Sequence, residues 1–149
     1  MIEKLQNTDL EISRQIYSVF QLSYVVEAEL LKAKDFPPLK RPLESYLKSD
    51  HDFYGYLENN EIAGVIEVEP ADKFIDIHSL VVKPKFFRRG IARKLLEFVF
   101  NTSDSKLIIV ETGVQNKPAT ELYKKLGFKE IKQWQTDFGI RKVRFEKKC

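Results

Sequence analysis

The sequence has a single cysteine, Cys149, at its last position. That excludes an internal disulfide framework and a multi-cysteine metal site, and no residue is assigned to a metal. No apolar run approaches the roughly 20 residues that a membrane helix needs. No long apolar stretch follows Met1-Ile2-Glu3-Lys4, so neither a membrane span nor a secretory signal is expected. A reduced, cytoplasmic setting is the default. Charge of one sign is also lacking. Against 25 Lys and Arg stand 22 Asp and Glu, and the balance of +3 does not by itself imply a nucleic-acid partner. Repeats and low-complexity segments are absent. An aromatic content of 12% argues against a disordered chain. A length of 149 residues fits one domain, 1–149.

Proline is scarce but concentrated, with Pro37, Pro38 and Pro42 in one short stretch. They argue against a helix there and predict an extended loop, the kind of segment that often belongs to a binding site. Before it, Thr8-Asp9-Leu10-Glu11 reads as a capping box, and Leu10, Ile12, Ile16, Phe20 and Leu30-Leu31 form a loose helical stripe. A short strand is expected near Ile2 and a second helix from Leu43. The period then changes to two. Phe53–Leu57 and Ile62–Glu69 read as a hairpin around Glu58-Asn59-Asn60-Glu61, and Phe74–Val82 as a third strand. From Gly90 the pattern is helical, and Leu107–Val110 reads as a strand buried on both faces. Asn116 and Pro118 open another helix and Gly127 closes it. Two strands follow, joined by Asp137-Phe138-Gly139. A strand, helix and strand from residue 74 to 112 imply a parallel pair with a right-handed crossover. The fold class is therefore α/β, a mixed sheet with helices on both faces.

The segment Lys83 to Lys94 carries the chemistry. A strand ends at Pro84, and a basic loop leads into a helix whose first turn holds Gly90 and Ala92. Small residues let an anion approach the backbone, and the free N–H groups and dipole of a helix start attract it. Lys83, Lys85, Arg88, Arg89, Arg93 and Lys94 surround that point with positive charge. Neither a P-loop nor a dinucleotide fingerprint is present. A second segment, Asn116 to Phe128, sets Ala119, Leu122 and Leu126 on one helix face with Tyr123 beside it. Taken alone, Tyr123 reads as a core-edge tyrosine with its hydroxyl in water.

Arg88-Arg89-Gly90-Ile91-Ala92 after a Leu-Val-Val-Lys-Pro strand, followed by Asn116, Ala119, Leu122-Tyr123 and Gly127-Phe128, resembles the GNAT superfamily of acetyl-CoA-dependent N-acetyltransferases. The element order resembles that fold over nearly the whole chain. It implies a mostly antiparallel sheet of about seven strands, with a central splayed parallel pair. Phe87 departs from the Gln or Arg that usually opens the phosphate motif. The resemblance implies that Leu80, Val81 and Val82 hydrogen-bond the pantetheine arm of acetyl-CoA. It implies that Arg88, Arg89, Gly90, Ile91, Ala92 and Arg93 hold the pyrophosphate, that Asn116 contacts the cofactor, and that Tyr123 protonates the departing thiolate. Look-alikes commonly form homodimers through sheet edges or terminal strands; the sequence itself is silent on this.

An alkylamine acceptor with a pKa of about 10.4 is only roughly 0.04% neutral at pH 7, so a proton acceptor or a desolvating pocket is needed. Strand alternation sets Asp76, His78, Leu80 and Val82 on one face and Ile75, Ile77, Ser79 and Val81 on the other. His78 is the candidate base, with Glu67, Glu69 and a water relay as rivals. His51, in an expected surface turn, receives no role. Tyr24 and Glu27 share a helix face and are the candidate substrate contacts, with Glu27 attracting an ammonium group. The function implied is transfer of an acetyl group to a primary amine of a small molecule or peptide through a ternary complex, without nucleic acid or membrane. The alternatives are an acyl-CoA-binding module without chemistry and a basic nucleic-acid-binding domain.

Overall fold

The computed structural model describes residues 1–104 and 106–149. The chain forms β1 (Ile2–Lys4), α1 (Leu10–Leu31), α2 (Leu43–Leu47), β2 (Asp52–Glu58), β3 (Glu61–Pro70) and β4 (Ile75–Val82). It continues with α3 (Ile91–Thr102), β5 (Leu107–Gly113), α4 (Lys117–Lys125), β6 (Lys129–Gln135) and β7 (Arg141–Lys148). One seven-stranded sheet runs in the order β1-β2-β3-β4-β5-β7-β6. All pairings are antiparallel except β4 with β5. That agrees with the α/β fold expected, including its parallel pair. Among the described residues no helix is long and apolar enough to cross a membrane.

Each face of the sheet buries its own core. On one, Ile66, Ile77, Leu95, Leu96, Val110 and Phe145 pack among residues from the sheet, α3 and α4. On the other, Ile16, Phe20, Tyr46, Phe53, Val65 and Val81 pack together with α1 and α2.

Local details differ from the sequence reading. The helix cap is Asp9 and not Thr8, its carboxylate accepting from the Ile12 N–H at 3.1 Å. Leu10 and Leu30 are exposed, while Val19, Tyr24 and Ala28 take the buried positions. Proline fits a first turn, so the loop contains a short 3-10 turn, Pro37–Lys40. The expected α4 signals hold: Asn116 caps it, and Gly127 follows it with φ of 94°.

The alternation expected along β4 breaks. Glu67 lies opposite Ser79 and Val68 opposite Ile77, so His78 is an extra residue in the ladder, a β-bulge. Ile75 and Ile77 therefore share a face with Leu80 and Val82, while Val81 faces α1. A bulge adds one to a period of two and exchanges the faces of everything beyond it.

Candidate active site

The loop before α3 folds as a short 3-10 turn, Pro84–Phe86, anchored by buried Phe86. Arg88 and Gly90 both adopt left-handed backbone, with φ of 65° and 76°. Gly90 is the N-cap of α3, and no side chain caps that helix. The first-turn N–H groups are thus free to receive an anion. A Cβ on Gly90 would meet nothing within 4 Å, so the approach is open. Of the six basic residues, four are already paired. Glu61 binds Lys83 and Lys85 at 2.9 and 2.8 Å, Glu58 binds Arg89 at 3.3 Å, and Glu97 binds Arg93 at 2.8 Å. The Lys85 and Lys83 hydrogen bonds hold the Glu61 carboxyl below the ordinary carboxylate range. Acids from the β2–β3 hairpin thus neutralise much of a patch that looks uniformly basic in the sequence. Among the described residues Arg88 and Lys94 form no ion pair.

Past the cradle the sheet parts. β4 and β5 pair only over Ile75–Ile77 and Ile108–Val110. Beyond that, β4 continues to Val82 against β3 alone, and β5 to Gly113 against β7 alone. The gap opens a pocket. His78, Ser79 and Leu80 line one side, and Glu111, Thr112 and Gly113 the other. Asn116, Ala119 and Tyr123 of α4 meet Tyr24 and Glu27 of α1 across it.

Thus Tyr24, Glu27, His78, Leu80, Asn116 and Tyr123 come together around one pocket, while Arg88 to Arg93 lie apart from it at the start of α3. Val81 is buried against α1, and Val82 packs with the opposite core.

Tyr123 is only 4% exposed, so its hydroxyl is not in bulk water. Its ring packs on Phe128 and Phe145 with centroids 5.4 and 5.7 Å away. Burial, reinforced by the nearby Glu27 charge, pushes its phenol well above the ordinary value, so it carries its proton at neutral pH. Glu27 is shifted upward by burial, partly countered by Lys142 and by the Asn116 side-chain amide. Asn116 does two things: its oxygen caps α4, and its Nδ2 donates to Glu27 Oε1 at 3.3 Å. The Tyr24 hydroxyl lies 3.2 Å from Ser79 Oγ, and burial raises it to about 12.

Beside the pocket lies a second polar cluster. Glu67 is 1% exposed and receives a two-pronged bond from Arg41, Nη1 to Oε1 at 2.8 Å and Nη2 to Oε2 at 3.0 Å. His51 Nδ1 donates to Glu67 Oε2 at 2.8 Å. Burial pushes this carboxyl up, but the Arg41 bonds and charge, aided by His51 and Ser79, overcome it and hold Glu67 below the ordinary range. With its oxygens so engaged, Glu67 is a structural anion and a poor rival for the base. His51 does lie in the bend before β2, but its side chain is only 20% exposed and stacks on His78 with centroids 4.3 Å apart. His78 itself sits at the pocket rim, its Nε2 2.8 Å from Glu69 Oε1 and 3.8 Å from Asp76 Oδ2.

Sequence reasoning missed Ser79, Lys142, Phe138 and Ile140 as pocket residues, and Arg41 as the partner of Glu67. No local signal marks Arg41, which is 26 residues from Glu67.

The family model of the GNAT acetyltransferase domain matches residues 26–149. The chain belongs to the GNAT acetyltransferase family. Its relatives include the UPF0157 protein YqkA of Bacillus subtilis (strain 168), 37% identical over 141 residues, with 94% of this chain and 41% of that protein covered. The chain thus spans about two fifths of that relative's length. Streptothricin acetyltransferase of Escherichia coli is 27% identical over 129 residues, covering 83% and 74% of the two chains. Among solved structures, the ribosomal-protein-S18-alanine N-acetyltransferase of Escherichia coli superposes with a TM-score of 0.78 at 19% identity, covering 99% of this chain and 92% of that one. The PaiA N-acetyltransferase of Thermoplasma acidophilum, solved in complex with coenzyme A, gives 0.71 at 20% identity, covering 100% and 99%. At these identities the superpositions establish the GNAT fold.

Proposed function

We propose that this GNAT domain transfers an acetyl group from acetyl-CoA to a primary amine of a small molecule or peptide, within a ternary complex. The observation that carries the reading is the convergence of a protonated phenol, Tyr123, and a carboxylate raised by burial, Glu27, at the mouth of the parted strands.

The residues present suit acetyl-CoA. Gly90 leaves open space at the uncapped start of α3, where N–H groups would hold the diphosphate. Arg88 and Lys94 are the cations there that no described acid neutralises. The parted edge of β4, from Leu80 to Val82, would receive the pantetheine arm, and Asn116, which lines the pocket at the start of α4, would contact it. Bound there, acetyl-CoA supplies the activated thioester.

Glu27 attracts the ammonium group of the acceptor. Its raised proton affinity brings it nearer the poise of an effective base, so it takes the proton that must leave before the amine can attack. Tyr123 holds a proton at its phenol oxygen and delivers it to the departing sulfur. Tyr24, Phe36 and Phe138 enclose the acceptor and keep water from the reacting groups. Glu27, which lines the same pocket as Tyr123 and lies close enough for its charge to act on it, fits the base role better than His78, whose Nε2 is engaged with Glu69 at the rim.

A panel of amines and peptide N-termini, incubated with acetyl-CoA and read by released thiol, tests this. At least one acceptor class is expected to turn over. Tyr123→Phe and Glu27→Gln are each expected to lower its turnover by roughly 10²–10⁴-fold. Calorimetric affinity for acetyl-CoA should stay within a few-fold in both. Saturable acetyl-CoA binding with no thiol released across the panel would make this a binding module. Binding of a random oligonucleotide in place of acetyl-CoA would overturn the reading altogether.

A further inference from the structure

We propose that His51, Glu69 and His78 bind one divalent transition-metal ion, zinc best among the common ions. This site is independent of the catalytic reading above. His51 comes from the turn before β2, Glu69 from the end of β3, and His78 is the extra residue of the β4 bulge. Glu69 Oε1 lies 2.8 Å from His78 Nε2 and 3.8 Å from His51 Nε2, and the three ligand atoms all fall within 4.8 Å of one another. A tetrahedral zinc ion with bonds of about 2.0–2.2 Å spaces its ligand atoms roughly 3.3–3.6 Å apart. The two Glu69 separations bracket that spacing and the histidine pair lies within 4.8 Å, so side-chain shifts of up to about 1 Å would close the shell.

The surroundings have the features of a supported site. His51 Nδ1 donates to Glu67, whose negative charge Arg41 secures. That leaves His51 Nε2, 3.8 Å from Glu69 Oε1, as the ring nitrogen not engaged with Glu67. A carboxylate behind a histidine ligand is the usual support of a zinc-binding imidazole. The two rings stack with centroids 4.3 Å apart and a tilt of 32°, and both Nε2 atoms lie within 3.8 Å of Glu69 Oε1. Water would take the fourth place. Charge agrees: Arg41 already balances Glu67, while Glu69 and Asp76 have no arginine or lysine partner among the described residues. Two imidazoles with one carboxylate favour zinc, nickel or copper over magnesium or calcium, which require oxygen shells. His78 and Glu69 are 37% and 52% exposed at the side chain, so an ion can enter.

Titration of the untagged, metal-free chain with zinc in a calorimeter tests the site, with cobalt absorption as a second readout. One ion per chain is expected, with tetrahedral cobalt bands. His78→Gln and Glu69→Gln, both at exposed positions, are each expected to weaken zinc at least tenfold and abolish those bands. His51→Gln should do the same, with circular dichroism confirming its fold. Glu67→Gln should weaken zinc by about tenfold through the support it gives His51. Cys149→Ser should change nothing. Absence of one-to-one binding, binding unchanged in the His78 and Glu69 variants, or binding lost in Cys149→Ser would overturn the proposal.

Discussion

Replacing Arg41 by alanine isolates the interaction that holds Glu67 in the interior. Glu67 is 1% exposed, and the substitution removes both guanidinium bonds while leaving the carboxylate where water cannot reach it. Breaking one side of a buried ion pair costs about 3–5 kcal/mol. His51 still donates to Oε2 at 2.8 Å and Ser79 still bonds the carboxylate, which puts the cost near the lower end, about 3 kcal/mol. The guanidinium also lies 4.0 Å over the Tyr46 ring, a contact the variant loses as well. For a chain of 149 residues the unfolding entropy is about 0.3 kcal/mol per degree, so Tm should fall by roughly 10 °C. Calorimetric melting at pH 7 measures this directly. Arg41→Lys keeps the charge but not the planar fork and should fall between. The double variant Arg41→Met with Glu67→Leu removes both charges and should melt within about 3 °C of the parent. If Arg41→Ala melts within about 3 °C of the parent, or the double variant melts lower than Arg41→Ala, the pair is not what fixes Glu67.

Gly90→Ala should cost about 1–2 kcal/mol, since the residue has φ of 76° and the added methyl meets no neighbour. The loss then reports backbone conformation alone, and acetyl-CoA affinity should weaken with it; unchanged melting and unchanged affinity would remove Gly90 from the cradle. For Glu27 the sign follows from burial, which raises its folded pKa above the unfolded value of about 4.3. Between the two the folded chain binds the extra proton, so stability falls as pH rises through that window and stays lower above it. Glu27→Gln should therefore raise Tm at pH 8 and not at pH 4 while lowering turnover; a variant melting lower than the parent at pH 8 would contradict the desolvation argument.

The sequence shows the α4 start and end plainly, because Asn116, Pro118 and Gly127 act within one or two turns of their own positions. The cradle is legible for the same reason: Gly90 and the basic loop are contiguous. The pocket is less so. Tyr24 and Glu27 are visible as a helix pair, but Lys142 joins them only through the folding of β7 beside β5. The Arg41–Glu67–His51 cluster spans three separate segments, each unremarkable alone. The bulge at His78 has no compositional mark, so a strict period of two misassigns the faces of the residues around it. The Glu58 and Glu61 pairings likewise escape a linear reading, which leaves the loop before α3 looking more basic than the folded surface is.

Where β4 and β5 part company, each strand pairs on its far side only, and among the described residues no strand occupies the edges that face each other. The sheet is in that sense one strand short. An extended ligand with amide groups of its own, as the pantetheine arm is, would knit the two halves together. Occupancy would then register as slower hydrogen exchange on both sides of the seam, and as a melting temperature that climbs logarithmically with ligand concentration.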